Sequence, residues 1–223
     1  MSSEASEFLI STGIRKLDEI LGGGFSVPGL VEIWGGPGTG KTLFAHLITA
    51  VNIRTHTIFW LDTERTFRIE LLKRWIPADN LRNLKYALVP TLDTLLYYLE
   101  KIQNYESQNI LIIVDTLTGL ARSELPNLPQ RNRMIMAILR RLKSIAAIKQ
   151  AIVLLTNQII SNLVSDIPAG GNLLRQQVKY ALGFKKSEDT LGISIDSTSF
   201  FAKYIKQIQI NFSQLLGVEQ AWV

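Results

Sequence analysis

The sequence predicts an α/β domain: a mostly parallel central sheet flanked by helices, with antiparallel strands toward its C-terminal side. Three observations carry that expectation. Short apolar runs alternate with segments of helical periodicity, the pattern of a wound parallel sheet. One of those runs, Leu30-Val31-Glu32-Ile33-Trp34, leads directly into the glycine-rich stretch Gly35-Gly36-Pro37-Gly38-Thr39-Gly40-Lys41-Thr42. The last part of the chain changes to short β-branched runs divided by charged residues, as in Ile193/Ile195 and Ile205/Ile208/Ile210. At 223 residues the chain is long enough to bury a sizeable core.

The glycine-rich stretch satisfies the G-x-x-x-x-G-K-[ST] pattern of a phosphate-binding P-loop at every fixed position. Behind it Leu43, Phe44, Leu47, Ile48 and Val51 recur at helical spacing, so the loop joins a strand to a helix. Glycines let successive backbone N–H groups turn toward one anion, and the helix N-terminus adds partial positive charge. Such a loop cradles a nucleoside triphosphate. Gly35, Gly36, Pro37, Gly38, Thr39, Gly40, Lys41 and Thr42 are therefore the nucleotide-binding set, with Mg²⁺ as the expected metal. Lys41 is expected to reach the β- and γ-phosphates and the Thr42 hydroxyl to ligate Mg²⁺.

Ahead of the loop, residues 8–24 read as a short opening strand, a Ser/Thr-initiated helix over 14–21 and a Gly-Gly-Gly stop. After it, Ile58-Phe59-Trp60-Leu61-Asp62 is a second strand, and Thr63-Glu64-Arg65-Thr66 opens an amphipathic helix running to Trp75 and closed by Pro77. A third strand is expected at 84–88. Thr91 then caps a helix whose Leu92, Leu95, Leu96, Leu99 and Ile102 form one apolar stripe. Next comes Ile110-Leu111-Ile112-Ile113-Val114-Asp115, an apolar run ending in a carboxylate. An ordinary buried strand can end this way, but ligands of a parallel sheet gather at the carboxyl ends of its strands. With a P-loop upstream, Asp115 is read as the Mg²⁺ carboxylate, partnering Thr42.

Residues 121–133, with two prolines and several polar side chains, read as a loop. The helix after it turns Met134, Ile135, Ile138, Leu139, Leu142 and Ile145 inward. A strand over 151–155 ends in Thr156-Asn157-Gln158, a polar segment follows from Ser161 to Asn172, and 178–223 reads as strands that extend the sheet, largely antiparallel.

Composition excludes several chemistries. The absence of cysteine removes disulfides, thiolate zinc sites and a cysteine nucleophile. With His46 and His56 the only histidines, a histidine metal centre or a Ser-His-Asp triad is not expected, and both are read as packing or surface residues. A formal charge of +5 permits an anionic partner. No apolar stretch is long enough to span a membrane and the first residues are Ser/Glu-rich, so a cytoplasmic location is expected.

The order of parts has a further meaning. Ser11-Thr12-Gly13 leading to Leu17-Asp18 and a Gly-Gly-Gly, the P-loop, Leu61-Asp62-Thr63-Glu64-Arg65-Thr66-Phe67, the run from Ile112 to Thr116, Thr156-Asn157-Gln158 and Gly170-Gly171-Asn172 follow one another at set spacings. Together they resemble the ATPase core of RecA-family recombinases, specifically archaeal RadA and its paralogues, over residues 8–185. The resemblance implies a RecA-like P-loop core and a single ATPase domain over 1–223. It implies that Glu64 is the catalytic base that orients and deprotonates the attacking water. Apart from the resemblance, a first-turn glutamate favoured by a helix dipole is the alternative reading of Glu64. Gln158 matches the sensor of the γ-phosphate and joins Glu64 and Lys41 in the catalytic set. The stretches 121–133 and 161–176 match the DNA-binding loops in position, so Arg122, Arg131, Arg133 and Arg175, with Lys179 just beyond, are expected on phosphates of single-stranded DNA. A solvated basic surface is the alternative reading of these cations, and neither loop is rich in aromatic side chains for stacking bases.

The chain also departs from that pattern. With its core motif beginning at Ser11, it is expected to lack the N-terminal helical DNA-binding domain and the Phe-x-x-Ala segment that docks on a neighbouring subunit. Arg65 stands where the recombinases have glycine, Gln176 where they have histidine, and Asp196-Ser197-Thr198 matches their Asp-Ser-Pro imperfectly. The expectation is a monomer or small oligomer: a Mg²⁺-dependent ATPase that binds single-stranded DNA and assists or modulates the RadA recombinase or other recombination proteins. Two alternatives stand beside it. One is a KaiC-like signalling ATPase acting through protein partners, which shares the Ser-Thr-Gly opening and the loop; the other is an ATP-binding adaptor with little turnover.

Overall fold

The computed structural model describes residues 9–161, 166–169, 172–187, 190–197 and 206–211. The chain enters through β1 (Leu9–Ile10), α1 (Arg15–Leu21) and β2 (Phe25–Ser26), with β1 and β2 paired antiparallel. Gly22, at φ 78°, ends α1 in the left-handed conformation that glycine adopts without strain. The run before the P-loop is β3 (Gly29–Gly35), and the segment behind it is α2 (Lys41–Asn52). Next come β4 (Thr57–Asp62), α3 (Ile69–Trp75), a 3₁₀ turn (Ala78–Asn83), β5 (Leu84–Leu88), α4 (Leu92–Gln103) and β6 (Ile110–Asp115). The second half holds α5 (Leu117–Glu124), α6 (Leu128–Lys149), β7 (Ile152–Ser161), β8 (Asp166–Pro168), α7 (Asn172–Arg175), β9 (Tyr180–Ser187), β10 (Thr190–Ser197) and β11 (Lys206–Asn211).

Among the described residues, the main sheet runs in the order β11-β10-β9-β3-β7-β6-β4-β5, with β8 pairing β7 off that path. From β9 to β5 every pairing is parallel, and β10 and β11 close the sheet antiparallel. This is the α/β architecture expected from the sequence. Strands covered on both faces must be apolar on both, which is why β6 alternates nothing and is buried throughout. On one face, Phe44, Leu47 and Ile48 of α2 pack on Val31, Ile33, Trp60, Ile113 and Leu154. On the other, side chains of α4, α5 and α6, among them Leu95, Leu99, Leu120, Ile138 and Leu142, pack on Leu61, Ile112, Val114, Val153 and Leu155.

Parallel register brings the polar strand ends into one row. Gly35 of β3 lies opposite Gln158 of β7, and Asp62 of β4 opposite Asp115 of β6. The candidate site forms along this row.

Three expected boundaries move. The helix expected from Thr63 begins at Ile69, because the Asp62 carboxylate wraps the intervening chain into a loop: Oδ1 accepts the N–H groups of Glu64 and Thr66, and Oδ2 that of Phe67, at 3.1–3.2 Å. Arg65, with φ 59°, sits at the bend. The loop expected over 121–133 shrinks to 125–127 between α5 and α6. Asn127 caps α6, its side chain accepting the Gln130 N–H at 3.1 Å, and Pro129 falls in the first turn, where a missing N–H costs nothing. Those prolines mark a helix start. Finally, the strand expected over 151–155 continues to Ser161, because β8 turns back and pairs with its extension. The expectations that fall on Gly170, Gly171 and Thr198 lie outside the described residues. So do the first eight residues and 212–223 of the tail.

Candidate nucleotide-binding site

The P-loop leaves β3 at Gly35 and enters α2 at Lys41. Gly38 and Gly40 have φ of 71° and 92°, where a side chain would be strained. Gly35 has a different constraint: a Cβ there would press on the Phe184 backbone and come within 2.8 Å of Thr39 Oγ1. Lys41 Nζ donates to Gly35 O at 2.9 Å and Gly36 O at 2.7 Å, and Thr39 Oγ1 donates to Gly36 O at 2.9 Å. Burial lowers the pKa of Lys41, while the carboxylates of Asp115 and Glu64 pull it back up.

Asp115 is 2% exposed and held by three hydroxyl donors. Thr42 Oγ1 and Thr66 Oγ1 both donate to its Oδ2 at 2.9 Å, and Thr156 Oγ1 donates to its Oδ1. Oriented hydroxyl and carboxylate oxygens are hard donors that suit Mg²⁺. Among the described residues no group of three or more His, Cys, Asp or Glu side chains forms a cage. A single carboxylate beside one hydroxyl fits an ion whose remaining ligands are water and phosphate oxygens, as Mg²⁺ prefers. Thr66 and Thr156 escaped the sequence reading as site residues. Their signal was position: Thr66 lies four residues beyond the end of β4, and Thr156 lies within β7, paired with Ile33 two positions before the Gly35–Gln158 pair.

Glu64 projects from the loop that Asp62 organises. Thr63 pins that loop to the end of β6: its N–H donates to Asp115 O at 2.8 Å, its hydroxyl donates to Thr116 O at 2.9 Å, and it accepts the Thr116 N–H at 2.6 Å. Glu64 Oε1 then accepts Thr116 Oγ1 at 3.2 Å and Gln158 Nε2 at 2.8 Å. Partial burial and the neighbouring Asp115 charge raise the pKa of Glu64, against the opposing pull of the Thr116 bond and the Lys41 ammonium. Lys41, Thr42, Glu64, Asp115 and Gln158 thus meet at one strand-end row.

The expected DNA-contacting cations do not form one face. Arg122 Nη2 donates to Gln158 Oε1 at 2.8 Å. Arg131 closes the turn between α5 and α6, with Nε on Leu125 O at 2.8 Å and Nη2 on Pro126 O at 2.9 Å. Arg133 is exposed on α6. Arg175 and Lys179 instead line a groove of about 600 Å³ with Lys143, Pro28, Gly29 and Leu30, at the end of β3 away from Gly35.

His46 behaves as a packing residue with a strict protonation state. Its ring is buried, stacked on Phe67 at 5.2 Å and tilted against Trp60 at 4.4 Å. Nε2 accepts the Arg68 N–H at 3.0 Å, so the ring proton is on Nδ1, which donates to Thr42 O at 2.7 Å. Burial accordingly lowers its pKa below the usual 6.5. The unfolded chain binds a proton in a range where the native ring does not, so stability falls as pH drops below about 6.5 toward the native value. Thermal melts between pH 8 and 5.5 should show that slope, and His46→Gln should make it shallower. His56, also shifted downward by burial, accounts for slope that persists.

Comparison with known proteins places this geometry. The Rad51 family profile matches residues 4–194. The DNA repair and recombination protein RadA of Cenarchaeum symbiosum is 30% identical over 80% of this chain and 50% of its own length. The DNA repair protein RAD51 of Saccharomyces cerevisiae is 27% identical over 80% of this chain and 51% of its own. The DNA repair and recombination protein RadB of Methanococcus maripaludis is 29% identical over 81% of this chain and 87% of its own. The chain spans about half the length of the RadA and RAD51 relatives it matches. A P-loop, a strand-end carboxylate and a sheet of this order, matched by that profile over most of the sequence, make the chain a member of the Rad51 family, whose relatives here are named for DNA repair and recombination.

Proposed function

We propose that the protein is a Mg²⁺-dependent ATPase that binds single-stranded DNA and assists or modulates the RadA recombinase in recombination and repair. The observation that carries this reading is the hydrogen-bonded Glu64, a carboxylate of raised pKa held beside Lys41 and the P-loop. The P-loop N–H groups and the start of α2 bind the triphosphate, and Lys41 turns from the Gly35 and Gly36 carbonyls to its β- and γ-oxygens. Thr42 would hold Mg²⁺ directly and Asp115 through its water shell, the ion neutralising phosphate charge. Glu64 orients a water and takes its proton as the oxygen attacks the γ-phosphorus. The bond to the bridging oxygen breaks and ADP leaves. A raised pKa makes Glu64 the stronger base for this step.

The roles in DNA repair and recombination that the names of RadA and RadB give support DNA as the partner, RadB being matched over most of its own length. Arg133, exposed on α6, is a phosphate contact of the kind that follows salt rather than sequence. The test measures binding of a fluorescent single-stranded oligonucleotide over a range of salt, with ATP turnover followed in parallel. Affinity should fall steeply with salt, and Arg133→Ala should reduce the log–log slope by about one unit. DNA that neither binds nor changes turnover would overturn the nucleic-acid reading and leave an ATPase that works through protein partners.

A further inference from the structure

We infer that helix α5 is a cradle for the Glu64 carboxylate, in which Gly119 makes the space and Arg122, acting through Gln158, sets the orientation. This rests on the reading of Glu64 as the base and adds two positioning residues to it.

Residues 116, 119 and 122 recur at three-residue spacing along α5 and bear on Glu64 together. Thr116 Oγ1 donates to Glu64 Oε1 and receives the Gly119 N–H at 3.0 Å, capping the helix while it holds the carboxylate. Gly119 lies within the helix and outside the left-handed region, so no backbone demand selects glycine there. Space does. A Cβ on Gly119 would come within 2.7 Å of Glu64 Oε1 and 2.6 Å of Thr116 Oγ1. Glycine inside a helix destabilises it relative to alanine, and here the absent methyl is what lets the carboxylate rest against the helix.

Arg122 supplies direction. Its Nη2 donates to Gln158 Oε1 at 2.8 Å, and Gln158 Nε2 donates to Glu64 Oε1 at 2.8 Å. A guanidinium can only donate and an ionised carboxylate can only accept, so the amide between them has one permitted orientation. Without Arg122 the amide can flip, turning its oxygen toward a carboxylate that repels it. Helix and strand are also joined directly: the buried bond from Thr118 Oγ1 to Asn157 Oδ1, at 2.6 Å, ties α5 to β7 one residue before Gln158. The bonds from Thr116 and Gln158 both fall on Oε1, which leaves Oε2 as the oxygen that takes the proton from water.

The test compares ATP turnover, without DNA, for Arg122→Met, Gln158→Leu, the double variant, Arg122→Lys and Gly119→Ala. In Arg122→Met and Gly119→Ala, kcat should fall about tenfold, less than the ~10²-fold that an ångström of misplacement can cost, while KM for ATP stays within about twofold. Arg122→Lys should recover part of the loss. The double variant should be no slower than Gln158→Leu alone, because Arg122 acts only through Gln158. Independently of turnover, the side-chain amide NMR signals of Gln158 should move to those of a solvent-exposed glutamine in Arg122→Met. Losses that multiply in the double variant, parental kcat in Arg122→Met or Gly119→Ala, or unmoved Gln158 signals would overturn the inference. Glu64→Gln separates the two claims: if it hydrolyses ATP normally, the assignment of the base fails, whereas a slow Glu64→Gln with independent Arg122 and Gln158 effects removes only the cradle.

Discussion

Lys41→Ala should bring ATP turnover down by ~10³-fold or more, the size of loss expected when a preorganised charge at a transferring phosphoryl group is removed. The geometry gives the reason. The Lys41 ammonium is the cation that answers both the Asp115 and the Glu64 carboxylates at the mouth of the P-loop. Removing it leaves two negative side chains facing a polyanionic substrate in a partly buried site, where charge repulsion is weakly screened. The loss reaches the base as well, since the ammonium is one of the influences holding the Glu64 pKa down. In the alanine variant Glu64 should therefore take up a proton at higher pH than in the parent. Phosphate release measured alongside calorimetric ATP titration checks both parts, and parental turnover would refute the P-loop role of Lys41. Folding should survive, because the ammonium bonds carbonyls of its own loop rather than a distant element.

Glu64→Gln should separate binding from chemistry. The amide keeps the shape of the carboxylate and an oxygen that can still accept from Thr116 and Gln158, so ATP affinity should change little. It cannot take a proton from water, and hydrolysis should fall by roughly 10²-fold or more. A pH profile adds a sharper check. Glu64 works only when ionised, and its pKa is raised, so parental turnover should decline on acidification at pH values above the ordinary carboxylate range near 4.5. The residual activity of the glutamine variant should lack that acidic limb. An unchanged limb would assign it to another group, and normal hydrolysis would place the base elsewhere.

Local segments were the most legible part of the sequence. The strands at 84–88 and 110–115 and the helix capped by Thr91 form where expected, since each is specified by apolar periodicity or by a side chain capping its own helix. The misread segments were those whose conformation depends on partners or on proline in two roles. Pro126 and Pro129 read as loop breakers, but the second lies in the first turn of α6, where proline is tolerated. Thr63–Arg68 carried helical composition, yet the Asp62 carboxylate competes successfully for its N–H groups and keeps it a loop.

The P-loop and the carboxylate ending β6 could be named from the chain alone because each is a short contiguous pattern whose chemistry is local. The hydroxyl collar of Asp115, the bond from the exposed Arg122 to Gln158, and the need for glycine at 119 could not. They bring together residues 49, 36 and 55 positions apart, and nothing in spacing announces such meetings. Parallel register aligns the strand ends, helix α5, bonded to β7 through Thr118 and Asn157, brings Gly119 and Arg122 to them, and hydrogen-bond polarity selects which side chains pair. Burial supplies the final discrimination at Asp115: a carboxylate 2% exposed must find donors within reach, and only the packed arrangement of its neighbouring segments determines which ones those are.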